Sequence, residues 1–395
     1  MTATELATMV ELFGASEMSS IRDPYSVYRR LRRSQPVVPI KLFTGLSYLV
    51  TRYDDVLQVL KDDTLYSNRT NAKGISRVMG RTLVEMDGRE HLRHRSLITP
   101  YLAPRALRGD FPKLVESIAH ELIDHFVGHG RADLVPVFTF SFPLRVFTRI
   151  LGLQVEDYDA IHNWGIDLTS FAGDPERGFA AAGALADYLR PVLEKRKLEP
   201  TGDLISNLAH AEVDGNRLTD EEVISFLRLL VIAGAETTYH LLGSVLLALM
   251  SHPAQLGEVR ADRSKLQLAL DEALRWEAPV QLVPRQTTRA VTLAGVDIPA
   301  EADLLVAIGS ANRDESRFED PDRFDIHRGS VEHLAFGFGK HYCAGSRLAC
   351  MEAKIALDAL LDRLPNLRLD RSQECGVVGL AFRGPDRLPV FFDAH

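Results

Sequence analysis

The chain has 395 residues, 46% hydrophobic and 25% charged, which is ample material for a buried core. A net charge of -8, with no basic block interleaved with aromatics, excludes a dedicated nucleic-acid binder. Three cysteines, Cys343, Cys350 and Cys375, are too few for a disulfide framework and point to a reducing compartment with a functional thiol.

The opening stretch MTATELATMVELFGASEMSS has acids, no basic start and no long apolar run. Neither a secretory leader nor a membrane anchor is expected there, and a soluble, cytoplasmic protein follows. PVVPIKLFTGLSYLV alternates around Thr44-Gly45 and predicts a β-hairpin. Helical periodicity then dominates, around residues 90–97, from 104 to 127 and from 176 to 197. Residues 218–252 predict one long helix that opens on a Thr219/Glu222 capping box and stops before Pro253. Its residues are apolar nearly all round, the pattern of a central helix enclosed by others; Arg228, Glu236 and His240 argue against a membrane span. SKLQLALDEALRWE predicts a further helix, and short strands follow in RAVTLAGVDIPAEADLLVAI and GLAFRGPDRLPVFF. The fold class is therefore mainly α with small sheets, and one domain over residues 1–395 is expected.

The segment FGFGKHYCAG places Cys343 in a glycine-rich loop ahead of the helical run SRLACMEAKIALDALLDRL. A structural zinc needs about four ligands, and Cys343 has no paired cysteine or histidine at the usual spacing. A cysteine nucleophile with His341 as base leaves the glycines without a role, and a redox sensor wants a nearby resolving cysteine. A single thiolate bound axially to a metal needs no second cysteine, and haem iron is the common case. Gly337, Gly339 and Gly345 would free the backbone and let a flat cofactor approach. Backbone N–H groups and the following helix terminus would stabilise the thiolate and lower the thiol pKa. Phe336 would shield the sulfur.

At every fixed position FGFGKHYCAG resembles the haem signature of the cytochrome P-450 family, in its soluble bacterial type. The resemblance makes Cys343 the axial ligand of haem b (iron protoporphyrin IX), with Phe336, Gly337 and His341 in the cofactor pocket and His341 on a propionate. Other landmarks follow in family order. Glu272 and Arg275 of EALR meet on one helical face; they resemble the family's buried structural pair, with Arg323 of PDRF as its third member. AGAETT, from Ala233 to Thr238, resembles the oxygen-activation motif of the central helix. There Thr237 would bond back to the preceding turn, Ala233-Gly234 would leave room for dioxygen, and Glu236 with Thr237 would relay protons. His91 and Arg95 of EHLRHR stand at i, i+4 and, with Arg285 of PVQLVPRQT, resemble the propionate-binding set.

What the resemblance implies is a haem-thiolate monooxygenase that inserts one oxygen atom from O2 into a hydrophobic small molecule, by hydroxylation or epoxidation. Electrons would come from a separate ferredoxin or flavodoxin with an NAD(P)H-dependent reductase, docking near Lys340, Arg347, Arg93 and Arg105. Nucleic acid and membrane are not expected partners. By family position the substrate would meet Leu229, Ile232, Ala233, Val280, Leu282, residues 67–85, the Phe171 to Tyr188 region and the turn at residues 379–382. Arg69, Lys73, Arg77 and Arg81 in the first of these loops read as solvated lid charge. A peroxide-driven haem enzyme and a haem gas sensor are the rival readings.

Overall fold

The computed structural model describes residues 20–42, 45–153, 158–169, 174–329 and 331–394. The expectations for the first 19 residues, for Thr44 and for Phe171 lie outside the described residues. The helices that position the site are α1 (Tyr25–Ser34), α2 (Tyr53–Lys61), α3 (Gly88–Leu102), α4 (Phe111–Asp124), α5 (Ser141–Leu151), α6 (Tyr158–Thr169), α7 (Pro175–Leu198), α8 (Asp220–Ser251), α9 (Leu266–Trp276) and α10 (Ser346–Arg363). The main sheet has β1 (Val37–Leu42), β2 (Gly45–Val50), β3 (Tyr66–Ser67), β4 (Leu282–Thr287) and β5 (Asp303–Ala307), in the order β1-β2-β5-β4-β3. β1 and β2 form the predicted hairpin, Val37 opposite Val50, and β2 runs parallel to β5.

α8 is the organising element. Thr219 caps it as predicted: its hydroxyl accepts from the Glu222 N–H, and the Glu222 carboxylate accepts from the Thr219 N–H. The helix is long and apolar enough to cross a membrane, yet 72% of its most apolar window is buried inside the protein. α5, α7, α9 and α10 pack around it and enclose its apolar surface. From Val223 to Met250 one residue alone is exposed, Ala233.

Several elements differ from the sequence expectations. The helix predicted from Pro104 begins at Phe111, because Gly109 takes a left-handed φ of 68° and Pro112 starts a new first turn. α1, α2 and α5 have no side-chain cap hydrogen bond, so their starts carry no polar signature. β4 lies inside the sheet yet contains Pro284, which has no N–H to donate and so masks a strand in the sequence.

α10 buries Glu352, 1% exposed, with one carboxyl oxygen lacking any hydrogen-bond partner. Burial pushes this carboxyl well above its ordinary value. The folded state therefore favours the protonated form, while the unfolded chain ionises near pH ~4.3. Stability from this group is complete below that pH and falls by about 1.4 kcal/mol per pH unit until the folded-state value is reached. Glu352→Gln should match wild type in urea unfolding near pH 4 and be progressively more stable at pH 6 and 7. An offset that does not grow with pH would contradict the assignment.

Candidate active site

The Cys343 loop is closed by its own backbone. The Gly337 N–H donates to the Leu334 carbonyl (2.8 Å), the Cys343 N–H to the Phe336 carbonyl (2.8 Å) and the Tyr342 N–H to the Gly339 carbonyl (3.0 Å). Gly337 and Gly339 have φ of 70° and 72°, a region that side chains strongly disfavour. A Cβ on Gly339 would also stand 3.1 Å from the Leu60 carbonyl at the end of α2. Gly345 departs from expectation: its φ of -89° is open to any residue, and its ideal Cβ would meet only the Cys343 sulfur, at 4.0 Å.

Cys343 is an exposed residue whose thiol is nonetheless desolvated by the protein around it. Burial pushes its thiol up, against the lowering pull of the Gly345 N–H, the Arg95 guanidinium and the Ser346 N–H. The expected donors thus point at the sulfur, but burial outweighs them and the α10 terminus. Phe336 stacks edge-on to Tyr342 at 6.2 Å beside it.

α3 carries His91 and Arg95 on one face toward this loop. Arg95 donates to the Tyr342 carbonyl at 2.6 Å. His91 is fully buried, neither ring nitrogen has a hydrogen-bond partner, and the ring stacks on His341 at 3.8 Å between centroids. Burial, then the neighbouring His341 and Arg95, lower His91 to about 4, so it is neutral at pH 7. Asp87, just before α3, is the residue sequence reasoning missed. Its carboxylate accepts from the Ser67 hydroxyl and from the Asn68 N–H and side-chain amide (both 3.1 Å), and lies 3.7 Å from His341 Nε2. Burial opposes ionisation there, but the donors on His341, Ser67 and Asn68 hold the carboxyl well below the usual range. An acid directly before the helix that carries His91 was the available signal.

Arg285 on β4 is 7% exposed, and its one side-chain hydrogen bond goes to the Pro284 carbonyl at 2.7 Å. No ion pair involves it among the described residues. Burial lowers it to about 10 despite the favourable charge of Asp87. A buried guanidinium with no carboxylate costs several kcal/mol unless an anion arrives.

Across the interior, Ala233 is the exposed point of α8, and the Thr237 hydroxyl donates back to the Ala233 carbonyl at 2.8 Å, as expected from sequence. Gly234 has a different role from the dioxygen space assigned to it. A Cβ there would come 2.4 Å from the Phe147 ring, so the glycine lets α8 lie against α5. Glu236 turns away from Thr237, its nearest charged partner being His240 at 3.9 Å.

The Glu272–Arg275 pair is buried at 1% and 0% exposure, with two parallel hydrogen bonds of 2.8 and 2.7 Å. The remaining Arg275 donors reach the carbonyls of Asn312, Pro321 and Arg323. Here the structure corrects the third member. Arg323 offers only its carbonyl; its guanidinium is 65% exposed, 3.7 Å from Asp325. The side chain that reaches Glu272 is Arg328, at 3.0 Å.

A family model for cytochrome P-450 matches residues 164–369. The 6-deoxyerythronolide B hydroxylase of Saccharopolyspora erythraea is 33% identical over 94% of this chain and 96% of its own length. Cyclomarin C epoxidase CymV of Salinispora arenicola is 36% identical over 97% of this chain and 100% of its own. The chain belongs to the cytochrome P-450 family. In structure it superposes on the cytochrome P-450 PksS of the Bacillus subtilis bacillaene polyketide synthase with a TM-score of 0.87, at 32% identity over 94% of this chain and 97% of that one.

The family implies a haem cofactor and monooxygenase activity, so the chain is an oxidoreductase. The cytochrome P-450 pocket described above fits that cofactor. Cys343 is exposed, while Arg285, buried with no ion pair among the described residues, and His91, with two unbonded nitrogens, suit acidic partners such as haem propionates. Around it, Val280 bridges to Phe382, and the Gln281 N–H donates to the Ala381 carbonyl at 2.9 Å. These contacts bring Val280 and Leu282 beside the turn at residues 379–382. Leu229 and Ile232 are buried in α8. The basic lid residues are already engaged: Arg69 with Gln286 and Glu301, Lys73 with Asp303, Arg81 with Glu85 and Glu90, and Arg77 over the Phe179 ring.

Proposed function

We propose that this cytochrome P-450 hydroxylates or epoxidises a hydrophobic small molecule at a haem b held by Cys343. A buried His91 with neither ring nitrogen bonded and a buried Arg285 with no ion pair among the described residues, together with an exposed Cys343, carry this reading. When bound, the haem supplies dioxygen binding and, with two electrons and two protons, O–O cleavage. Cys343 lends negative charge to the iron, while the N–H groups of Gly345 and Ser346 moderate it. Arg95, Arg285, His91 and His341 hold the propionates, and Asp87 orients His341. Phe336 and Gly337 shape the wall beside the sulfur.

On the opposite side Thr237 keeps its oxygen at the Ala233 gap, where it orients a hydrogen-bonded water, and Glu236 replaces each proton passed on. Leu229, Val280 and Leu282 select an apolar substrate by burial; Ile232, expected with them, lines the floor of a cavity on another face of α8. The engaged lid cations favour a neutral ligand over an anionic one. Electrons come from a separate ferredoxin or flavodoxin and its NAD(P)H-dependent reductase in the cytoplasm. Phe338 and Tyr342 of the Cys343 loop are exposed, as are Leu92 on α3 and, just past the loop, Arg347, an apolar centre with a basic edge that suits an acidic electron carrier. Arg105 is exposed as well. Of the other two expected docking cations, Lys340 pairs with Asp63 and Arg93 with Asp214.

Thr237→Ala tests the proton role. It should lower product formed per NAD(P)H consumed by about tenfold or more, with the missing electrons appearing as hydrogen peroxide or water, while haem content stays normal. Unchanged coupling would remove Thr237 from the relay.

A further inference from the structure

On another face of α8 lies a cavity of about 460 Å³, between α5, α6, the segment 133–140 and the C-terminal strands. Exposed Pro136, Ile166 and Asp386 form its rim, and buried Leu144, Ile161, Val231 and Ile232 its floor. Residues along a helix advance by about 100° each, so this face lies roughly a third of a turn from the Ala233/Thr237 face. Glu236 and His240 stand on the edge between the two and line the cavity.

His240 is buried, Glu236 is partly buried, and both are under-bonded. Glu236 Oε2 and His240 Nδ1 have no hydrogen-bond partner, and His240 Nε2 is 3.9 Å from Glu236 Oε1. Among the described residues no arginine or lysine pairs with Glu236. Outside the helix Gly384 packs against the imidazole, where a Cβ would fall 2.3 Å from His240 Nδ1, and on the helix the neighbouring Tyr239 ring lies 4.1 Å away between centroids. The other charged groups around the cavity are Asp386 at the rim and Asp133, whose carboxylate accepts from the Leu388 and Val135 N–H groups and faces Arg387 at 3.9 Å. Tyr239 stays a neutral phenol, pushed up by burial and by the charges of Glu236 and Asp386. Most of the lining is apolar, but at the end where Asp133, Glu236, His240 and Asp386 meet, the space is polar, roomy and open to solvent and can hold water.

We propose that His240 is a positioning residue of the oxygen-activation machinery, which couples its own protonation to that of Glu236 and loads the pair with protons from this cavity. The inference rests on the reading that Glu236 supplies Thr237. A proton from cavity water enters at the imidazole or directly at the Glu236 carboxylate. Glu236 then rotates and gives that proton to the Thr237 side, and the resulting carboxylate is reprotonated from the cavity. No electrons move in these steps, and His240 returns to its starting state each cycle.

Two coupled acids must perturb each other equally. The test uses the haem-loaded protein in its diamagnetic ferrous carbon-monoxide form. The Glu236 carboxyl band is followed by infrared, assigned by Glu236→Gln, and His240 by nitrogen-15 NMR. Below the histidine midpoint His240 is cationic and favours carboxylate, so His240→Gln and His240→Leu should move the Glu236 midpoint up by about one pH unit. Glu236→Gln should lower the His240 midpoint by the same amount. Gly384→Ala, whose Cβ would crowd the ring at Nδ1 and Cγ and the His240 Cα at 3.0 Å, should reproduce part of the first effect. In turnover, His240→Leu should lower coupling about tenfold near pH 7. Identical Glu236 titration in wild type and both His240 variants overturns the inference. If Glu236→Gln itself leaves coupling intact, the failure lies with the proton role of Glu236.

Discussion

Cys343→Ala is expected to abolish product formation, by more than about three orders of magnitude or about 4 kcal/mol of transition-state stabilisation, in any surviving haem-loaded protein. The size follows from what the side chain is for. The loop is closed by main-chain bonds from Gly337, Tyr342 and Cys343, and beyond these its sulfur meets, among the described residues, only the N–H groups of Gly345 and Ser346. Truncation therefore spares the scaffold and removes the charge that the Gly345 and Ser346 N–H groups and Arg95 surround. Retained turnover per haem would show that the loop has another purpose.

Arg275→Leu is the second large effect, and it falls on folding. All five guanidinium donors are used, on Glu272 and on the carbonyls of Asn312, Pro321 and Arg323. Removing one member of a buried pair costs about 3–5 kcal/mol, a large share of the 5–15 kcal/mol that stabilises a typical domain. The expected outcome is little soluble haem protein; Arg275→Lys should rescue poorly, because a point charge does not reproduce the fork. Arg323→Ala should lie within about 0.5 kcal/mol of wild type in urea unfolding, since only its carbonyl takes part. Arg328→Ala should be clearly worse. Equal effects at 323 and 328 would contradict the geometry.

These two arginines also show where sequence reading stops. Arg323 lies in PDRF and Arg328 four residues after it, and nothing in their order says which side chain turns inward; the Asp325 N–H and Arg328 meet Glu272 only in three dimensions. The cysteine loop was legible because its constraints are local, with two left-handed glycines and a main-chain closure inside ten residues. The capping box and the all-round apolar pattern of α8 were legible for the same reason. Gly234 was misread because the ring it accommodates, Phe147, is remote in sequence. Asp87 escaped notice because its partners, Ser67, Asn68 and His341, come from separate segments. β4 was obscured by Pro284, and the uncapped helices by the absence of any polar start.

The cavity at His240 makes the same point for function. The sequence places His240 one turn after Glu236 but not the glycine that seats its ring, which is over a hundred residues further on. A helix that reads as uniformly apolar thus separates two polar environments, one at Ala233 and Thr237 and one at Glu236 and His240.

The central claim is that the Cys343 sulfur is an anionic iron ligand, and the ferrous carbon-monoxide spectrum of freshly purified protein tests it most directly. A Soret band strongly red-shifted from that of histidine-ligated haem, and lost in Cys343→Ala, is the predicted result. A band at the ordinary histidine-ligated position in wild type, or one unchanged by Cys343→Ala, would contradict it.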